Sequence, residues 1–154
     1  MAQQPETNAK EPSFYLNIHT SDPKAAAAFF TGLGFTFCPD YSDDETKSFR
    51  LPSPNDSICL MIHAHTRFKT FMRPGTAVTD AHTSTEALFS VALATKDQVV
   101  QMIDKAVELG GKADPYRMEE DGATCGMYTR AIADLDGHIW EFLTMLPKSE
   151  APAS

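Results

Sequence analysis

The chain states one structural plan twice, and a repeat of this size restricts the fold more than any other feature of the sequence. Ser13–Thr20 alternates apolar and polar residues as a half-buried strand does. Ser21-Asp22-Pro23 then supplies an N-cap and a first-turn proline, ahead of an Ala-rich helix over Ala25–Leu33 with Phe29, Phe30 and Leu33 on its buried side. Gly34 stops that helix, and Phe35–Cys38 starts a strand. Ser48–Leu51 and Ser57–His63 read as two more, around the turn Pro52-Ser-Pro-Asn-Asp56. The plan restarts with a strand at Leu88–Ala94. Lys96–Leu109 follows as an amphipathic helix, with Val99, Val100, Ile103, Ala106 and Val107 at helical spacing and Gly110-Gly111 as its stop. Strands are expected over Lys112–Asp114, Gly126–Ala133 and His138–Met145. The reading is βαβββ twice, each unit roughly 60 residues long.

This division sets 13–145 as a single domain, with module one over 13–65, a linker over 66–86 and module two over 87–145. Residues 1–12 and 146–154 read as disordered tails. In the linker, Thr66–Pro74 interleaves Phe68, Phe71 and Met72 with Arg67, Lys69 and Arg73. Such a segment lids a cavity, meets a partner chain, or fills core with its aromatics.

A net charge of -8 with no basic stripe argues against a nucleic-acid partner. No apolar run approaches the roughly 20 residues that span a bilayer, and the first dozen residues lack the apolar stretch of a secretory signal. Cys38, Cys59 and Cys125 are odd in number, widely spaced and without a C-x-x-C, which fits a reducing compartment and structural rather than nucleophilic roles. A cytoplasmic protein without a membrane partner is the expectation.

The chemistry centres on Asp134-Leu-Asp-Gly-His-Ile-Trp-Glu141-Phe-Leu-Thr-Met145. Asp-Gly closes a tight turn, and the strand beyond it places Ile139, Glu141 and Leu143 on one face and His138, Trp140 and Phe142 on the other. A carboxylate in such apolar company needs a hydrogen-bond donor, a metal or a polar ligand. Tyr15, Asn17 and His19 share one face of the first strand, Ser90 lies on the strand that opens module two, and Tyr128 and Arg130 project from the strand before Glu141. Together they read as a small-molecule cleft. Glu141 is its candidate base, Tyr15 with Asn17 would stabilise an oxyanion, and Asn17, His19, Ser90, Tyr128 and Arg130 would contact substrate. Arg130 or His19 would hold a substrate carboxylate; the plainer alternative makes Arg130 the salt-bridge partner of Glu141. His63 and His65 stand at i, i+2 as a surface or strand-end pair, His82 belongs to a loop, and His138 to the turn before the last strand.

The two βαβββ units, the opening Leu16-Asn-Ile-His-Thr-Ser-Asp22 with Phe29-Phe30 and Leu33-Gly34-Phe35, and the closing Asp134–Glu141 motif together resemble the vicinal oxygen chelate superfamily. That superfamily includes glyoxalase I, bleomycin-resistance proteins and extradiol dioxygenases. The likeness runs from about Ser13 to Met145 and is closest to the predicted lactoylglutathione lyase subgroup, whose members often carry a stretch like Phe68-Lys-Thr-Phe71. The resemblance implies an α+β fold whose two modules form an incompletely closed, eight-stranded, barrel-like cleft, commonly in a homodimer. It also implies a divalent metal held by four inward residues. Carried over to this chain, those positions fall on Tyr15, near Met61, near Leu88 and on Glu141, so only Glu141 keeps the ligand chemistry and the usual metal site is expected to be absent. A displaced site would draw on Glu141, Glu86, His63 and Asn17 or His19. The implied functions are a lyase or isomerase with Glu141 as base, or a non-catalytic binding protein of the bleomycin-resistance type. Genuine lactoylglutathione lyase activity is not expected.

Overall fold

A computed structural model describes residues 11–117 and 126–147. Most of both expected tails, and Cys125, lie outside the described residues. The elements run β1 (Phe14–Thr20), α1 (Pro23–Gly32), β2 (Thr36–Phe37), β3 (Thr46–Arg50), β4 (Ile58–Ala64), α2 (His65–Phe68), β5 (Leu88–Ala92), α3 (Lys96–Glu108), β6 (Lys112–Ala113), β7 (Met127–Ala133) and β8 (Ile139–Met145). The expected βαβββ plan is present twice, with no element end moved by more than two residues.

The local reasons are those of the sequence. The Asp22 carboxylate caps α1 by accepting from the backbone N–H groups of Lys24 and Ala25, and Pro23 sits where no helical N–H is needed. In α3 the cap is Thr95, one residue ahead of the helix, in a reciprocal capping box with Gln98. Gly34 and Gly110 follow the two helices with φ of +89° and +97°, a backbone region open to glycine at little cost.

Each module is a four-stranded mixed sheet with the same order, β1-β4-β3-β2 and β5-β8-β7-β6. In both, the first strand runs parallel to the last and forms an edge, while the other pairings are antiparallel. The sheets do not close into a barrel. Their helix-facing sides share one buried cluster with α1 and α3: Ile18, Phe49, Leu60 and Ile62 from the first, and Val91, Ile132, Trp140 and Phe142 from the second. Trp140 links the halves. Its ring meets Phe30 and Phe35 of module one at centroid distances of 5.4 and 5.9 Å and Phe89 of module two at 4.9 Å. Fully burying an aromatic of that size contributes on the order of 5 kcal/mol before chain entropy is counted.

Polar contacts join the modules as well. The carboxylate of Asp136, in the β7–β8 turn, accepts from Thr20 Oγ1 at 2.5 Å, from the Ser21 backbone N–H at 2.7 Å and from Ser21 Oγ at 2.8 Å. Asp134 folds that turn by accepting from the backbone N–H groups of Asp136 and His138 and from Trp140 Nε1. The two aspartates of the Asp-Leu-Asp-Gly motif thus build and dock a turn. No helix among the described residues is long and apolar enough to cross a membrane.

Candidate functional site

Burying Trp140 and Phe142 against the helices turns Glu141 to the opposite, largely open face of the second sheet. There Glu141 pairs across the strands with Ser90 on β5 and Ala131 on β7. Its carboxylate accepts from Ser90 Oγ at 2.8 Å through one oxygen and from the Tyr116 hydroxyl at 2.8 Å through the other. Burial, and then the hydrogen bond to Glu141, raise the Tyr116 pKa to about 12, so its hydroxyl remains a donor at neutral pH. Both partners of the carboxylate are neutral. It remains a half-buried acceptor on an open face.

Tyr116 was not among the residues singled out in the sequence. It sits in a loop two residues after the Asp114 turn, where no periodicity points to a face, and only the folded chain brings it to Glu141.

Arg130 and Tyr128 do not join this site. Arg130 pairs in register with Phe142, and so lies on the helix-facing side with it. Its guanidinium makes two bonds to Asp114, at 2.9 and 2.7 Å, which raise its pKa further while holding the Asp114 carboxyl below its ordinary range. Tyr128, two residues earlier on the same face, lies beneath the Lys96 ammonium, 4.6 Å from its ring centre. Neither the substrate-contact role on the Glu141 face nor the salt bridge to Glu141 survives this geometry. Strand alternation at β7 places both residues on the far side.

Tyr15, Asn17 and His19 do share a face, on β1 of the first sheet, but among the described residues none is hydrogen-bonded to Glu141. Tyr15 is 49% exposed. Asn17 Oδ1 meets His63 Nε2 at 2.9 Å, and His63 Nδ1 meets Thr46 Oγ1 at 2.9 Å. Because an amide oxygen only accepts, Nε2 carries the His63 proton and Nδ1 accepts from the threonine. Burial, followed by the Arg67 charge, lowers the His63 pKa, consistent with this neutral tautomer. His63 thus stands at the end of β4, one of the two places expected, but buried with both ring nitrogens engaged rather than on the surface, and His65 leaves the strand to open α2.

His19 belongs to a different neighbourhood. Its ring stands edge-on to His65, His138 and Phe68 at centroid distances of 5.1, 4.6 and 5.5 Å. His138 Nε2–H donates to the His19 carbonyl at 2.8 Å. The Thr79 backbone lies near enough to raise the His19 pKa slightly, yet Nδ1 is buried without a hydrogen bond of good geometry. Burial and then the two neighbouring imidazoles lower its pKa overall. His19 and His138 line a cavity of about 800 Å³ beside the β1 edge, roofed by Phe68, Phe71, Met72 and Arg73 of the linker. Of the roles open to that amphipathic segment, lining a cavity is the one observed.

A divalent metal does not fit the four positions at which the resembled superfamily holds one. Met61 and Leu88, at two of those positions, offer no oxygen or nitrogen to a hard cation. The displaced set fares no better: both ring nitrogens of His63 are engaged, and Glu86 lines the linker cavity while Glu141 does not. Among the described residues no group of three or more His, Cys, Asp and Glu side chains has metal-holding geometry.

No protein-family profile matches the chain, and no curated protein matches it in sequence. Solved structures do. A hypothetical protein from S. aureus, SA1046, superposes with a TM-score of 0.68 at 22% identity, over 86% of this chain and 92% of that one. A glyoxalase/bleomycin resistance protein/dioxygenase family enzyme from Burkholderia phytofirmans PsJN gives 0.67 at 18% identity, over 86% and 97%. The fosfomycin resistance protein FosX of Listeria monocytogenes gives 0.59 at 14% identity, over 88% and 91%. At these identities the likeness establishes architecture and leaves activity to the site residues. In architecture this chain has the two-module fold of the glyoxalase, bleomycin-resistance and dioxygenase proteins, as the resemblance in its sequence implied.

Proposed function

We propose that this protein is a small-molecule cleft protein that moves a proton on a small oxygenated substrate, a lyase- or isomerase-type activity with Glu141 as base and no metal required. The observation that carries the reading is the carboxylate of Glu141, held on an open sheet face by Ser90 and Tyr116 with no ion pair among the described residues. In the step proposed, Glu141 takes a proton from a hydroxyl-bearing carbon next to a carbonyl, and the electron pair of the broken C–H bond moves onto the carbonyl oxygen as an enediolate. The same proton, or one from solvent, then returns to carbon. Tyr116 and Ser90 orient the carboxylate.

The test is exchange in D₂O, with hydroxyacetone and dihydroxyacetone as probes and NMR following loss of the C–H signals beside the carbonyl. Wild type should exceed the buffer rate, and Glu141→Gln, which keeps shape and hydrogen-bonding capacity, should lose about 10²–10⁴-fold of that acceleration. Full activity in that variant, or no exchange by wild type, refutes the base assignment.

The second reading is non-catalytic ligand binding, favoured by the chemistry of Met61 and Leu88 at positions where the superfamily binds metal. It predicts a ligand recovered unchanged. A homodimer is part of the proposal under either reading. Phe14, Tyr15 and Leu88 are 58%, 49% and 48% exposed on β1 and β5, each the free edge of its sheet. Light scattering on the purified chain decides it.

A further inference from the structure

The linker cavity is separate from the Glu141 face, and its lining has a chemistry of its own. Three phenylalanines, Phe68, Phe71 and Phe89, and the imidazoles of His19 and His138 give it aromatic walls. Beside neutral polar side chains such as Asn17, Thr76 and Thr85, its lining carries two charged ones, Arg73 from the first half of the linker and Glu86 from its end. Neither makes an ion pair or a side-chain hydrogen bond among the described residues. The contrast with Arg67, six residues before Arg73, is direct: Arg67 lies 3.3 Å from Asp43 and 3.3 Å from Glu45. Arg73 and Glu86 therefore face one cavity with opposite charges that do not neutralise each other.

We infer that this cavity binds a small aromatic zwitterion of the α-amino-acid type, with its ring among Phe68, Phe71 and Phe89, its carboxylate toward Arg73 and its ammonium toward Glu86. About 800 Å³ lies within the range of small-molecule sites and leaves room for a single-ring ligand with its waters. A simple aromatic acid would satisfy Arg73 and leave Glu86 facing like charge; an aromatic amine would do the reverse. A zwitterion alone answers both. The His19 and His138 rings add edges to the wall, and edge-on contacts of this kind favour an aromatic over a saturated ring. Both charged groups are exposed at the rim, so each selects among ligands more than it adds affinity.

Saturation-transfer NMR and calorimetry with phenylalanine, phenylacetate, phenethylamine and cyclohexylalanine test the assignment. Phenylalanine should bind best of the four. Arg73→Gln and Glu86→Gln should each weaken it about five-fold, the first removing preference for a carboxylate and the second for an ammonium. Both substitutions are at exposed positions, so the fold is retained and a null result is informative. Hydroxyacetone, the probe of the Glu141 face, should not compete, which keeps this inference separable from the proposed activity. Absence of phenylalanine binding, equal binding of phenylalanine and phenethylamine, indifference to Arg73→Gln, or competition by hydroxyacetone overturns it.

Discussion

Replacing Asp136 with alanine should cost this protein more stability than its half-exposed position suggests, because one carboxylate ties the two modules together. Three donors from the end of β1 reach it: Thr20 Oγ1, the Ser21 backbone N–H and Ser21 Oγ. Hydrogen bonds to a charged group contribute about 1.5–3 kcal/mol each when well sheltered. Here water competes for half of the carboxylate, and the three bonds share one anchor, so about 2–3 kcal/mol in total is expected. For a chain of this length that loss lowers the melting temperature by roughly 5–10 °C.

The pH dependence gives a second, sharper reading. Burial alone would raise the Asp136 pKa, but the bonds from Thr20 and Ser21 outweigh it and the net shift is downward from 3.8. A carboxyl depressed in the folded state stabilises above its unfolded pKa, and that contribution fades as pH falls through the folded value. The gap between wild type and Asp136→Ala should therefore be full near neutrality and shrink steadily below about pH 4. Asp134, whose carboxyl burial shifts upward, is present in both proteins, so the difference between them isolates Asp136. Urea denaturation of both proteins across pH 3–7 is the assay, with Thr20→Val closing a double-mutant cycle. A loss under about 0.5 kcal/mol, or a gap that does not depend on pH, would refute the idea that this turn docks the modules.

Gly137→Ala probes the same turn from its other side. Gly137 has φ of +90°, and an added Cβ would lie 2.6 Å from the His82 backbone nitrogen and 2.8 Å from Ala81, so the variant should lose about 2–4 kcal/mol in chemical denaturation. Tyr116 should titrate near pH 12 by ¹³C NMR of labelled tyrosine, and Glu141→Gln should bring that value down part of the way, since burial, the larger cause, remains. A Tyr116 titration unaffected by the substitution would mean that the bond between them does not persist in solution. Tyr116→Phe should leave Glu141 with Ser90 as its donor among the described residues and slow the exchange reaction without abolishing it, measured by the D₂O assay.

What the sequence determined by itself is whatever neighbouring residues settle among themselves. Asp22-Pro23 and Gly34 bound α1 because caps and stops act within one helical turn. The alternation over Ile139–Met145 assigned Trp140 and Phe142 to one face and Glu141 to the other because side chains alternate along any strand. The repeated βαβββ plan then followed, and with it the resemblance in fold. Tertiary structure alone decided which faces meet. Arg130 and Glu141 lie on neighbouring strands, yet the register pairs Arg130 with Phe142 and sends it to Asp114, a choice made by main-chain pairing that composition does not record. His63 looked like half of a surface pair until β3 and β1 placed Thr46 and Asn17 at its two nitrogens. Tyr116 and Ser90 reach Glu141 from positions 25 and 51 residues away in the chain. Local spacing carries the periodicity of a strand or helix; the partners of a carboxylate are set by chain crossings that bring distant residues within about 3 Å.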